Sequence, residues 1–199
     1  MDQMLRASLM TAILILSIIS ANANALHLNP SQPETAFSMQ AFGATTIPIG
    51  YYEYCKRYQA RCARPSGGSY IELTQQRWTE IVDVNYQVNR TVKPLTDPEI
   101  FGVEELWEYP KNVGDCEDYV LQKRKVLNEM GYPLGSLLIT VARDAQGGGH
   151  AVLTVVTDRG DYILDNVEQN VMLWKDAELY YLKRQSGSNP NTWVSLVQN

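Results

Sequence analysis

Apolar positions along this chain change their spacing twice. Between Leu9 and Ile19 they run almost unbroken. From Thr74 to Met130 they recur at helical intervals, and from Leu137 onward they crowd into short β-branched runs separated by turn residues. The first helical stretch starts at Thr74 as N-cap, with Leu73 and Trp78 placed as a hydrophobic staple, and puts Trp78, Ile81, Val82, Asn85 and Val88 on one face. The second follows Asp115, another N-cap candidate, with Tyr119, Val120, Val126, Leu127 and Met130 near helical spacing. Gly131 and Pro133 end it. Between the two, Pro94, Pro98 and Pro110 break the pattern, which reads as surface chain wrapping the core with Trp107 and Tyr109 as packing residues. The later runs predict strands over Leu137–Ala142, His150–Thr157 and Tyr162–Asp165, with further strands over Val171–Trp174, Leu179–Leu182 and Thr192–Val197. Helices followed by hairpin-connected strands give an α+β fold, N-terminal helices packed on an antiparallel β-sheet.

The apolar run near the start is short for a bilayer span, which takes roughly 20 residues. Arg6 precedes it and Ala23-Asn24-Ala25 follows, the small-x-small pattern of a signal-peptide cleavage site. Residues 1–25 are therefore expected to be a signal peptide, and the protein to be exported. Residues 26–46 read as a loose, polar, Pro-containing arm, and 47–199 as a single domain. The formal net charge of −5 carries no basic stripe, which excludes nucleic acid as the natural partner.

An exported chain can hold disulfides, and this one has three cysteines. The economical assignment pairs Cys55 with Cys62 and leaves Cys116 free. On an unbroken helix, residues seven apart lie about 10 Å apart, beyond the roughly 7 Å that a disulfide tolerates. The pairing therefore requires a bend between them.

Cys116 sits in Gly114-Asp115-Cys116-Glu117-Asp118-Tyr119, one thiol among three carboxylates at the start of a helix. The helix dipole favours the nucleophilic thiolate, whereas the acids oppose it. An imidazolium or a bound cation would resolve that conflict. Of the two histidines, His27 lies at the extreme N-terminus of the exported chain, and His150 opens a strand behind Gly147-Gly148-Gly149. Asp165, at the end of the strand that pairs with the His150 strand, is placed to orient the imidazole. Asp158 and Asp161 sit in the intervening turn and are expected to face solvent. Cys116, His150 and Asp165 thus have the order and element types of a catalytic triad on a papain-like or transglutaminase-like core. The backbone N–H of Cys116 is a candidate oxyanion donor, with Asn112 as a possible side-chain partner, and the 147–149 glycines offer a loop able to open and close.

Gly-Asp-Cys-Glu-Asp-Tyr (114–119), Leu-Leu-Ile-Thr-Val (137–141), Gly-His-Ala-Val-Leu (149–153) and Tyr-Ile-Leu-Asp-Asn (162–166), in that order, resemble the bacterial transglutaminase-like cysteine proteinases, which include the LapG-type periplasmic proteases. The resemblance implies a calcium-dependent thiol protease of the periplasm. Cys116, His150 and Asp165 would be the triad, and Asp115, Glu117 and Asp118 the metal ligands. In the best-known branch the substrate is a large biofilm adhesin at the cell surface, and an inner-membrane cyclic di-GMP receptor sequesters the enzyme. Two other functions share parts of this chemistry. A protein-glutamine acyl transferase would use the same thioester with a lysine amine as acceptor. A non-enzymatic calcium-binding module would use the acidic cap alone.

Overall fold

The structure is a computed structural model that describes residues 38–64 and 67–197. The expected signal peptide, its cleavage site and the first part of the arm lie outside the described residues. The chain forms β1 (Ala44–Thr45), α1 (Ile49–Arg57), a 3-10 turn (Gln59–Cys62), α2 (Gln75–Thr91), β2 (Lys93–Pro94), α3 (Asp97–Phe101), β3 (Val113–Gly114) and α4 (Cys116–Glu129). Then come β4 (Leu137–Arg143), β5 (Gly149–Thr157), β6 (Gly160–Leu164), β7 (Met172–Leu173), β8 (Tyr180–Ser186) and β9 (Asn189–Ser195). Seven strands make one antiparallel sheet in the order β1-β9-β8-β4-β5-β6-β7, and β2 pairs with β3 in parallel. The expected α+β class, helices first and antiparallel sheet after, is what the chain adopts.

Thr74 caps α2, its hydroxyl accepting the Arg77 N–H at 3.2 Å. Ile81, Val84, Asn85 and Val88 form the buried stripe, so Val84 takes the inward place expected of Val82. Asn85 tolerates burial because its amide donates to the Gln169 carbonyl. Helix α4 ends where Gly131 takes a positive φ of 95°. The Gly131 N–H then bonds Asn128 O, and the Tyr132 N–H reaches back to Leu127 O. Its buried face holds Tyr119, Val120, Leu121 and Leu127, but also Lys123 and Arg124. Met130 is exposed.

The central strands are buried almost continuously rather than in alternation. Val152 and Leu153 point to opposite faces and both are fully buried. Val152 packs with Met39 and Ile163 under Trp174, Leu179, Tyr181 and Leu196, while α4 packs against β5 and α2. Both faces of the sheet are therefore covered.

Of the expected arm, residues 38–46 are described, and they are held in place. The Phe42 N–H bonds Ser195 O, β1 pairs with Trp193 and Val194, and the Met39 N–H donates to Asp161 Oδ2 at 2.9 Å. That contact corrects the expectation for Asp161. It is 1% exposed rather than solvent-facing, because the segment around Met39 lies over it and Arg184 approaches its carboxylate to 3.9 Å. Asp158 is half-buried and accepts the Leu73 N–H.

The bend needed between Cys55 and Cys62 is present. Helix α1 ends at Arg57, Tyr58 leaves helical geometry, and the two Cα atoms approach to 5.6 Å, with the sulfurs bonded.

Candidate active site

Two backbone pairings bring the site together. After α2, the Lys93 N–H bonds Asn112 O and the Leu95 N–H bonds Gly114 O, which lays residues 93–95 beside the approach to α4. Gly114 is required there, since a Cβ would lie 2.8 Å from the Asp118 Cβ. Cys116 is the first residue of α4, as expected, and Asp115 occupies the N-cap position with extended backbone. Its carboxylate caps no helical N–H. It turns instead to the backbone N–H of Asp97 and to the Glu117 side chain.

His150 is the second residue of β5, held opposite Ala142 of β4. Its Nε2 lies 2.9 Å from Asp165 Oδ1, just past the end of β6. Asp165 is itself fixed: Oδ1 also accepts the Val167 N–H at 2.9 Å, and its carbonyl accepts the Asn89 amide of α2 at 2.8 Å. With Nε2 engaged, Nδ1 is the imidazole nitrogen left for another partner. The Cys116 thiol accepts the N–H of Ala151, the residue after His150, and donates to Glu117 Oε2 at 3.0 Å. Of the three residues singled out from the sequence, His150 and Asp165 are thus in contact, and Cys116 at the N-terminus of α4 reaches the backbone one residue past His150.

Electrostatics divides the site in two. Burial alone would raise the Asp165 carboxyl, but the hydrogen bond and charge of His150, the Val167 N–H and the charge of Lys123 outweigh it and hold the group below its ordinary value. Cys116 is pushed strongly upward, first by burial and then by the Glu117 carboxylate and the charge of Asp115. The conflict anticipated from the sequence is therefore present in the fold. With its acids charged and uncompensated, the thiol keeps its proton.

Those acids form a cluster. Oxygen atoms of Asp97, Asp115 and Glu117 lie within 4.8 Å of one another. Oδ1 of Asp97 and Oδ1 of Asp115 are buried with no hydrogen-bond partner among the described residues. Buried carboxylate oxygens left over in this way suit a hard cation, which takes oxygen ligands. Burial and mutual repulsion raise both Asp115 and Glu117. Asp118 is not in this group. Its Oδ1 accepts the Glu108 N–H at 2.8 Å, and burial raises it to about 8. Asp97 stands where Asp118 was expected. Its signal was legible as a capping box, Thr96-Asp97-Pro98-Glu99, which forms and opens α3. What the sequence did not reveal is the β2–β3 pairing that sets α3 beside Asp115.

Trp107 is 3% exposed and packs on Tyr51, while Tyr109 packs among Tyr54 and Tyr58, so both are packing residues. Asn112 is exposed, with its carbonyl engaged by Lys93. The loop before His150 is pinned by Asp144, whose Oδ1 accepts the N–H groups of Gln146 and Gly148.

The profile of the bacterial transglutaminase-like cysteine proteinases (BTLCP) matches residues 41–199. The chain belongs to this family. No curated protein sequence matches it. Among solved structures it is similar to Legionella pneumophila LapG, at 25% identity and a TM-score of 0.51, over 59% of this chain and 68% of that one. An EGTA-treated form of LapG aligns with the same identity and TM-score over 59% and 66%. A calcium-bound form aligns at 22% identity with a TM-score of 0.47, over 76% and 91%. The peptidase thus shares the helices-then-sheet architecture of LapG. Among its described residues no helix is long and apolar enough to cross a membrane.

Proposed function

We propose that this cysteine peptidase is an exported, periplasmic, calcium-dependent endopeptidase in which Cys116, His150 and Asp165 carry the reaction. The observation that carries the reading is the 2.9 Å contact between His150 Nε2 and Asp165 Oδ1, one residue from the N–H that reaches the Cys116 sulfur. His150 takes the thiol proton through Nδ1, and the Cys116 sulfur attacks a peptide carbonyl. The C–N bond breaks, His150 returns the proton to the leaving amine, and water hydrolyses the thioester. Asp165 fixes the imidazole tautomer and stabilises its charged form. The N–H of Cys116 precedes the first helical bond, Tyr119 N–H to Asp115 O, and is available for the oxyanion.

Asp97, Asp115 and Glu117 would hold the calcium ion, with Asp118 supporting the neighbouring segment from outside that cluster. When bound, the ion supplies positive charge that draws the carboxylates away from opposing thiolate formation. The substrate is a protein of the periplasm or cell surface, such as a large adhesin, and an inner-membrane cyclic di-GMP receptor is the proposed regulator. The test is incubation of wild type and Cys116→Ala with surface proteins of the same cell, in calcium, with a primary amine present. A product cut by wild type alone and free of incorporated amine supports the peptidase. Amine incorporation without cleavage makes it an acyl transferase, and equal cleavage by Cys116→Ala refutes the role of the thiol.

A further inference from the structure

Asp165 stands just beyond the ladder that shapes β6. The last paired residues are Leu164, opposite Leu153 of β5, and Ile163, opposite Met172 of β7. Residues 165–171 lie outside any strand, yet Asp165 Oδ1 sits 2.9 Å from His150 Nε2. The turn that Oδ1 makes with the Val167 N–H fixes the side chain only relative to its own loop. The loop itself is held from α2. Asn89 donates its amide to the Asp165 carbonyl at 2.8 Å, and Asn85, one turn earlier on the same face, donates to the Gln169 carbonyl at 3.0 Å. Both partners are carbonyl oxygens, so each asparagine must present its NH2 group. The Oδ1 atoms of Asn85 and Asn89 are then buried with no hydrogen-bond partner among the described residues. An unmet buried acceptor lowers stability, and Asn85 is 0% exposed in a stripe otherwise made of Ile81, Val84 and Val88. A leucine would fill that place without the loss. What the asparagines supply, and leucines would not, is a pair of fixed points on the loop, at residues 165 and 169.

The same helix carries the approach to Cys116. The carbonyl of Val92, the C-cap of α2, accepts the Tyr119 hydroxyl of α4 at 2.6 Å, and the residues after it pair with those that lead into α4. One helix thus touches both the run-in to the thiol and the loop that bears the carboxylate. We infer that Asn85 and Asn89 are positioning residues: they register the Asp165 loop on α2, and so set where the Asp165 carboxylate stands relative to His150 and to the helix that begins at Cys116. This rests on the reading of Cys116, His150 and Asp165 as the catalytic group. Neither asparagine touches the reacting atoms. Asn89 grips the backbone of Asp165 itself and has the larger effect, whereas Asn85 steadies the far end of the loop. A displacement of about 1 Å in a catalytic constellation can lower a rate on the order of a hundredfold, so a loop tied at one end only is enough to be felt at the imidazole.

The test is a double-mutant cycle that needs no substrate. Iodoacetamide alkylation of Cys116, followed by mass spectrometry in calcium at neutral pH, reports the thiol as the imidazole activates it. Asn89→Ala should slow alkylation on the order of tenfold, and Asn85→Ala by a smaller factor. Asp165→Ala keeps the carbonyl that Asn89 binds and removes the carboxylate. In that background Asn89→Ala should change the rate by about twofold or less. A merely loosened fold would act alike in the two backgrounds, so equal effects in both, or no effect in either, would overturn the inference. If Asp165→Ala alone is alkylated as fast as wild type, the reading of Asp165 fails and the inference with it. Equal effects of Asn89→Ala in the two backgrounds, with Asp165→Ala itself slow, remove the asparagines and leave that reading standing. If Asn89→Ala does not fold, hydrogen exchange in the unsubstituted protein decides it: Asn89 side-chain amide protons as slow as the Val167 N–H support the inference, and exchange at the solvent rate refutes it.

Discussion

At the scale of single residues, the site asks two things of its carboxylates, and substitutions separate them. In the proposed mechanism Asp165, 2.9 Å from His150 Nε2, orients and stabilises the imidazole but forms no bond to substrate. Asp165→Asn should therefore lower kcat on the order of a thousandfold while staying above Cys116→Ala, both proteins remaining folded. Full activity in Asp165→Asn would remove the residue from the mechanism. Asp97 belongs to the acidic cluster with Asp115 and Glu117, and in the proposed function it holds calcium and takes no part in the bond-making steps. Asp97→Asn should raise the calcium needed for half-maximal activity on the order of tenfold, with near-normal turnover at saturating calcium. An unchanged calcium titration would exclude it as a ligand. The sequence placed Cys116, His150 and Asp165 together because helix start, strand start and hairpin partner are local patterns. Asp97 was not reachable that way, since its approach to Asp115 depends on the backbone pairing of residues 93–95 with 112–114. The burial of Lys123 was hidden for the opposite reason, because a lysine on a helix is read as solvent-facing.

At the scale of elements, α1 and its disulfide brace the segment leading into the site. Tyr54 Oη meets Tyr109 Oη at 2.6 Å, Arg57 donates to the Trp107 carbonyl at 2.5 Å, and Tyr58 donates to Glu108, whose N–H in turn binds Asp118. These contacts come from side chains, so the brace does not depend wholly on the covalent link. Replacing Cys55 and Cys62 together by alanine should cost about 2–3 kcal/mol of stability, the loop-entropy value for a short closure, with activity at low temperature largely kept. A fully folded but inactive double variant would show that the bridge shapes the site. The bend at Tyr58 could be stated beforehand as a condition of the pairing, because helical rise and disulfide reach are both fixed distances. The strand boundaries were less legible. The predicted strand at Leu179–Leu182 extends to Ser186, since Gln185 is buried and bonds Ile139 and Pro190, and such a residue carries no strand signal of its own.

For the whole molecule, the buried acids make stability a function of pH and calcium together. Asp115, Glu117 and Asp118 have folded-state values raised above their unfolded ones, chiefly by burial. The folded state then binds the extra protons, so their contribution is full below about pH 4 and is lost as pH rises through the folded values, near 8 for Asp118. Asp165 is depressed and acts in the other direction, contributing above about pH 4 and failing in acid. In chelator, the melting temperature should therefore peak in mildly acidic solution and fall toward pH 8, and calcium should recover most of that fall. A flat profile that ignores calcium would contradict the buried cluster as a cation site. The same cluster holds the thiol proton of Cys116 on Glu117, which gives the most direct measurement of the whole account: the rate at which iodoacetamide alkylates Cys116 near neutral pH, followed by mass spectrometry. Wild type in calcium should react fast, whereas wild type in chelator and His150→Ala in calcium should both react slowly. Equal rates in all three would mean that neither the imidazole nor the acidic cluster governs the nucleophile.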